Sequence, residues 1–124
     1  MTSNVGVLIA DDSATFLGAG IAVVESTPGF DLLGTAESGE QAIEVAARTR
    51  PDLIFIDVRM PGIGGLEAAR RIHELQPSVV LILITAEELE LEDGHAVAAL
   101  LDKRGLSTTV LAELWRQHGQ DRSA

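Results

Sequence analysis

Leu53-Ile54-Phe55-Ile56-Asp57, closed by Met60-Pro61-Gly62, decides the fold of this chain. Four apolar residues in a row read as a buried strand, and a tight turn follows at once. The carboxylate of Asp57 then stands at the C-terminal rim of a sheet, where open α/β folds place their ligands. The layout recurs near the N-terminus, where Val5-Gly6-Val7-Leu8-Ile9-Ala10 runs into Asp11-Asp12. Two apolar strands ending in three carboxylates point to one acidic site.

Outward from these two runs the chain alternates strand and helix. A helix over about 14–26 carries Phe16, Leu17, Ile21 and Val24 on one face and stops at Thr27-Pro28-Gly29. A strand over 30–36 follows. Ser38 opens a second helix with Gln41 at capping-box spacing, and Ala42, Ile43, Val45 and Ala46 form its inner face. Pro51 breaks the chain before the 53–57 strand. A third helix over about 65–75 places Leu66, Ala69, Ile72 and Leu75 at helical spacing, and residues 79–85 form an apolar strand of the kind found at the centre of a parallel sheet. Residues 87–93 read as a short acidic helix and 97–101 as a fifth strand. Ser107 or Thr108 caps a last helix bearing Val110, Leu111, Leu114 and Trp115, with a polar stretch after it.

Such alternation predicts a doubly wound, five-stranded parallel sheet with helices on both faces. All strand C-termini then share one edge, which collects Asp11, Asp12, Asp57, Thr85 and Lys103. Composition agrees. Hydrophobic residues are 46 % of the 124 but aromatics only 3 %, so aliphatic side chains must fill the core. There is no cysteine, which excludes a disulfide framework and thiolate metal sites. No run is long enough to span a bilayer, and residues 5–10 lack the flanks of a signal peptide, so a cytoplasmic protein is expected. The net charge of −10 argues against direct nucleic-acid binding by this chain.

Three clustered carboxylates repel one another, and a divalent cation relieves the repulsion. An all-oxygen donor set suits Mg²⁺. A lysine and a threonine hydroxyl on the same rim are able to hold phosphoryl oxygens. Asp57 is then a nucleophile for phosphorus, forming an aspartyl phosphate while positive charge neutralises the transferring group.

Asp11-Asp12, Asp57 with Met60-Pro61-Gly62 and Gly65, Thr85-Ala86 and Lys103 together resemble the receiver domain of two-component response regulators. The stretch from Gly34 to Ala42, with Arg50-Pro51-Asp52, is similar to the subfamily usually joined to helix-turn-helix DNA-binding output domains. The resemblance implies a flavodoxin-like (βα)5 fold, with a receiver over residues 1–119 and a polar tail over 120–124. It implies that Asp57 accepts a phosphoryl group from a sensor histidine kinase. Asp12 and Asp57 would ligate Mg²⁺ with the backbone carbonyl of Arg59, Asp11 would act through water, and Thr85 and Lys103 would contact the phosphoryl group. The implied partners beyond the kinase are a downstream protein or a missing output domain, and a homodimer.

Three features depart from the family pattern. Leu100 stands where an aromatic residue usually lies. Only 18 positions separate Thr85 from Lys103, so the helix between the fourth and fifth strands is expected to be shortened or rebuilt. Arg104 follows the lysine. Arg59 and Glu87 each follow a site residue by two positions and are placed to pair over the pocket. Two other readings stand beside the switch: a receiver-fold interaction module that acts without phosphorylation, and a phosphatase or phosphotransferase working through an aspartyl phosphate. The last lacks the second acid two residues after the nucleophile, where Arg59 stands.

Overall fold

Every residue of Leu53–Asp57 is buried, because this strand lies at the middle of the sheet with helices on both of its faces. The computed structural model describes residues 4–87, 90 and 96–119. In chain order it contains β1 (Val5–Ala10), α1 (Ala14–Glu25), β2 (Phe30–Ala36), α2 (Gly39–Thr49), β3 (Leu53–Asp57), α3 (Gly64–Leu75), β4 (Val80–Thr85), β5 (Ala99–Asp102), a 3-10 turn (Lys103–Gly105) and α4 (Thr108–His118). The sheet order is β2-β1-β3-β4-β5, and all four pairings are parallel.

Strand alternation sorts the core into two layers. Leu8, Ala10, Ile54, Ile56, Leu81 and Leu83 pack with α2 and α3. Val7, Ile9, Leu53, Phe55, Ile82 and Ile84 pack with α1 and α4. Both faces are covered, so the central strands β1, β3 and β4 read as continuous apolar runs, whereas the edge strands β2 and β5 alternate in burial.

The helices begin where side chains satisfy their first amides. Ser13, Ser38 and Ser107 accept from the N–H of Phe16, Gln41 and Val110 respectively. Gln41 reaches back past the cap and accepts from the N–H of Glu37, the residue before Ser38, at 2.7 Å.

Three details differ from the sequence reading. Ala69 and Ile72 of α3 face the core as their spacing predicts, but Leu66 and Leu75 are exposed, and Gly65 and Ala68 take their place. The cause is Gly65, which lies so close to the Asp57 carbonyl that a Cβ would collide with it. That contact rotates the small side of the helix inward. On α1, Gly20 and Val23 occupy places expected of Ile21, because Gly20 lets the helix sit down on Ile9. The fifth strand starts at Ala99 rather than 97, and Val97 is buried as a lead-in. Of the expected 87–93 helix, Glu87 and Glu90 are described and are not helical; its other residues lie outside the described set. Four helices are described where a five-fold strand-helix repeat has five, consistent with a modified fourth helix.

Candidate functional site

Strand register builds the site. Ala10 pairs with Ile56, so the next residues, Asp11 and Asp57, leave adjacent strands at the same level. Asp57 pairs with Ile84 and Thr85 with Asp102, which sets Thr85 and Lys103 one step further along the same rim. The chain turns from β1 to β2 on one side and to β3 on the other, so β1 and β3 flank the topological switch point where such sheets open a crevice.

Asp11 is fully buried, Asp57 is 4 % exposed and Asp12 is exposed. Each offers one oxygen, and the three oxygens lie within 4.8 Å of one another. Asp11 is half structural: its Oδ1 accepts from the N–H of Ser13, the residue that caps α1, at 2.9 Å. Its Oδ2 is buried and receives no well-directed hydrogen bond; the Lys103 ammonium lies 2.6 Å away. The same ammonium is 3.3 Å from Asp57 Oδ2 and 5.1 Å from the centre of the Phe16 ring. Phe16 reads from sequence as a core residue of α1. Its ring also covers the lysine, a contact that periodicity does not reveal.

The electrostatics follow from burial. Desolvation pushes the Asp57 carboxyl above its ordinary range and the neighbouring Asp11 adds to this, while Lys103 and the Arg59 backbone N–H oppose it. Burial pulls the Lys103 ammonium down, but Asp11, then Asp57, outweigh it and leave its pKa raised. Two buried carboxylates thus share one ammonium, with the Asp12 carboxylate close by. Such a hard-oxygen donor set with surplus negative charge fits a small divalent cation.

The Thr85 hydroxyl is engaged locally. It donates to the Glu87 carbonyl and accepts from the Glu87 N–H, both at 3.1 Å. Arg59 and Glu87 meet as expected, at 2.8 Å, with both side chains largely exposed. The part of Arg59 that reaches the buried carboxylate is its backbone N–H. Leu100 is 39 % exposed and lines a groove of ≈ 740 Å³ together with Thr85, Glu87, Glu90 and Asp102. Among the described residues, no helix is long and apolar enough to cross a membrane.

A family model described as "Response regulator receiver domain" matches residues 7–103. The chain is 36 % identical over 90 residues to a protein-glutamate methylesterase/protein-glutamine glutaminase of Myxococcus xanthus, covering 73 % of this chain and 26 % of that protein. It is 34 % identical over 82 residues to response regulator GacA of Pseudomonas aeruginosa, covering 66 % of this chain and 38 % of GacA. The chain therefore spans well under half the length of these relatives. Among solved structures, the receiver domain of the response regulator NarL of Mycobacterium tuberculosis superimposes with a TM-score of 0.83 at 22 % identity, covering 95 % of this chain and 98 % of that one.

Proposed function

This chain belongs to the response regulator receiver family of two-component signalling, and on that premise we propose that it is a phosphorylatable switch. Asp57 accepts a phosphoryl group from the phosphohistidine of a sensor histidine kinase. The observation that carries this reading is the convergence of Asp11, Asp12 and Asp57 within 4.8 Å, with Lys103 at 2.6 Å from Asp11 and 3.3 Å from Asp57. Residues 1–119 are taken as the receiver and 120–124 as a polar tail, working in the cytoplasm.

An Asp57 carboxylate oxygen attacks phosphorus; the phosphorus–nitrogen bond breaks and its electron pair leaves with the imidazole. The product is a mixed anhydride. The Lys103 ammonium lies beside the attacking carboxylate and neutralises charge on the transferred group. Asp12 and Asp57, with the Arg59 carbonyl, would hold Mg²⁺, and Asp11 would act through water. When bound, the cation supplies positive charge to the phosphoryl oxygens. Thr85 has a single hydroxyl proton, now given to the Glu87 carbonyl. To donate to a phosphoryl oxygen it must release that carbonyl, so phosphorylation bears directly on the chain leaving β4. The signal then passes to a downstream protein or an output domain, or to a second copy of the chain. The chain itself is a switch rather than a metabolic enzyme, and its acidic surface does not favour DNA.

The exposed residues of α1 are Ala14, Thr15, Gly18, Ala19 and Ala22, with Glu25 at the end away from Asp12. Small residues there support close approach of a partner helix to the site. Intact mass after incubation with Mg²⁺ and acetyl phosphate tests the reading. One added phosphoryl group is expected, absent in Asp57→Asn and blocked by chelator. A folded protein that gains none, and that fails to bind Mg²⁺, is instead an interaction module independent of phosphorylation. Leu100, standing in place of the family's aromatic residue, favours that second reading.

A further inference from the structure

The loop that follows Asp57 is fastened to a different helix. Ile63 is the N-cap residue of α3, and no side chain of its own caps that helix. Its N–H donates instead to Glu40 Oε1 at 3.0 Å, across 23 residues of sequence. Glu40 lies in the first turn of α2. In a capping box the carboxylate three residues into a helix accepts from the N-cap N–H. Here Glu40 of α2 does this for α3, placing one carboxylate between two helix N-termini.

The backbone around this contact is closely packed, although the Glu40 side chain itself is exposed. Gly62 has φ +78°, and a Cβ there would collide with the Glu40 carboxylate. A Cβ on Gly39 would press against Ile63 and the Gly64 carbonyl. The Gly39 N–H also donates to the Pro61 carbonyl at 3.4 Å. The other end of the loop is set by the site. Val58 donates to the Ile84 carbonyl at 3.1 Å, the Arg59 N–H reaches the Asp57 carboxylate, and Gly65 abuts the Asp57 carbonyl.

Resting on the reading of Asp57 as phosphoacceptor, we infer that Glu40 is a positioning residue for that reaction. By holding Ile63 it fixes the path of residues 58–64, and thereby the Arg59 backbone beside Asp57. Glu40 never touches the phosphoryl group. It acts through the loop, and a displacement of a fraction of an ångström at a reacting centre is enough to cost rate. The requirement is for a hydrogen-bond acceptor at this point, which glutamine also supplies.

The test uses the full chain, with Glu40→Ala and Glu40→Gln beside the native protein. Three quantities are read: phosphorylation rate with acetyl phosphate and Mg²⁺, Mg²⁺ affinity by calorimetry, and amide hydrogen exchange at Ile63 and Arg59. Glu40→Ala is expected to phosphorylate slower by on the order of tenfold, to bind Mg²⁺ more weakly and to exchange both amides faster. Glu40→Gln is expected to restore all three toward native values. A native rate in Glu40→Ala, while the native protein is phosphorylated normally, overturns the inference and leaves Asp57 as phosphoacceptor. Equal loss in both variants, with a lowered melting temperature, overturns it in favour of a general role of the charge in stability. Failure of the native protein to take a phosphoryl group overturns the reading of Asp57 and this inference with it.

Discussion

Asp57, Asp11 and Lys103 form a triad in which two acids share one ammonium, and its energetics are testable one residue at a time. The native state raises the Asp57 carboxyl above its ordinary value of 3.8. The neutral form is therefore favoured by folding. The stability this contributes is fully present below about 3.8 and is lost as pH rises through the higher native value. Asp57→Asn is neutral at every pH, so it should melt above the native protein at pH 7 without metal, by about 4 °C for each kcal/mol of relief. Melting curves between pH 3 and 7 check this, and the gap should close on the acid side. Lys103→Met should act oppositely. It strands two buried carboxylates, a loss of about 3 kcal/mol by analogy with broken buried pairs. Adding Asp57→Asn to it should recover part of that loss. Strictly additive effects in denaturant titrations would show that the two side chains do not interact.

The Arg59–Glu87 pair differs because both partners are exposed. Alanine at both positions should change stability by less than about 1 kcal/mol. If the pair screens the acyl phosphate from water, the double variant should dephosphorylate several-fold faster. Equal decay of the phosphorylated mass in the two proteins would make it a plain surface pair.

Elements with unambiguous punctuation were legible in the sequence. β2 and β3 begin and end where an apolar run meets Pro, Gly or a charged turn, and α2 begins at Ser38 because the serine and Gln41 both satisfy amides there. The face of α3 was legible only in part: Ala69 and Ile72 are buried as their spacing predicts, but Leu66 and Leu75 fit the same helical period and are exposed. What decides is the contact of Gly65 with the Asp57 carbonyl, a tertiary fact. In the same way, converging carboxylates follow from strand order, whereas Glu40 acts on a backbone N–H far along the chain and carries no motif. Thr85 stands on the rim as its strand position predicts, and the engagement of its hydroxyl with Glu87 is a contact that the strand pattern does not carry. Gly65→Ala puts these element-level contacts to the test. The added methyl must push α3 away from β3, for a loss of roughly 2 kcal/mol. Because the push falls on Asp57, phosphorylation should drop by more than the melting shift explains. A folded variant with native rate and native melting would mean that α3 and β3 have room to separate. Gly18→Ala on α1 is the control, because nothing lies within 4 Å of the added Cβ. It should stabilise the helix by up to about 1 kcal/mol.

For the whole molecule, the site concentrates a problem that the composition already poses. A chain of net charge −10 resists compaction, and among the described residues three of its carboxylates converge at one rim. A divalent cation should therefore stabilise the fold in two separable ways. General screening is equalled by monovalent salt at matched ionic strength. Specific binding adds RT ln(1 + [L]/Kd), about 2.7 kcal/mol at a hundredfold excess over Kd. Since Asp57 must lose its proton to serve as a ligand, the specific part should shrink as pH falls through the raised native value of its carboxyl. It should also vanish in Asp12→Asn with Asp57→Asn, which leaves the remaining surface charge in place. Melting the native and doubly substituted proteins with MgCl₂ and with NaCl of equal ionic strength, at pH 7 and pH 4.5, separates these contributions. Identical curves in the two salts at pH 7 would mean that the rim carboxylates only repel. They would then be a cost to folding with no ion to offset it, and the case for an interaction module would gain at the expense of the phosphorylated switch.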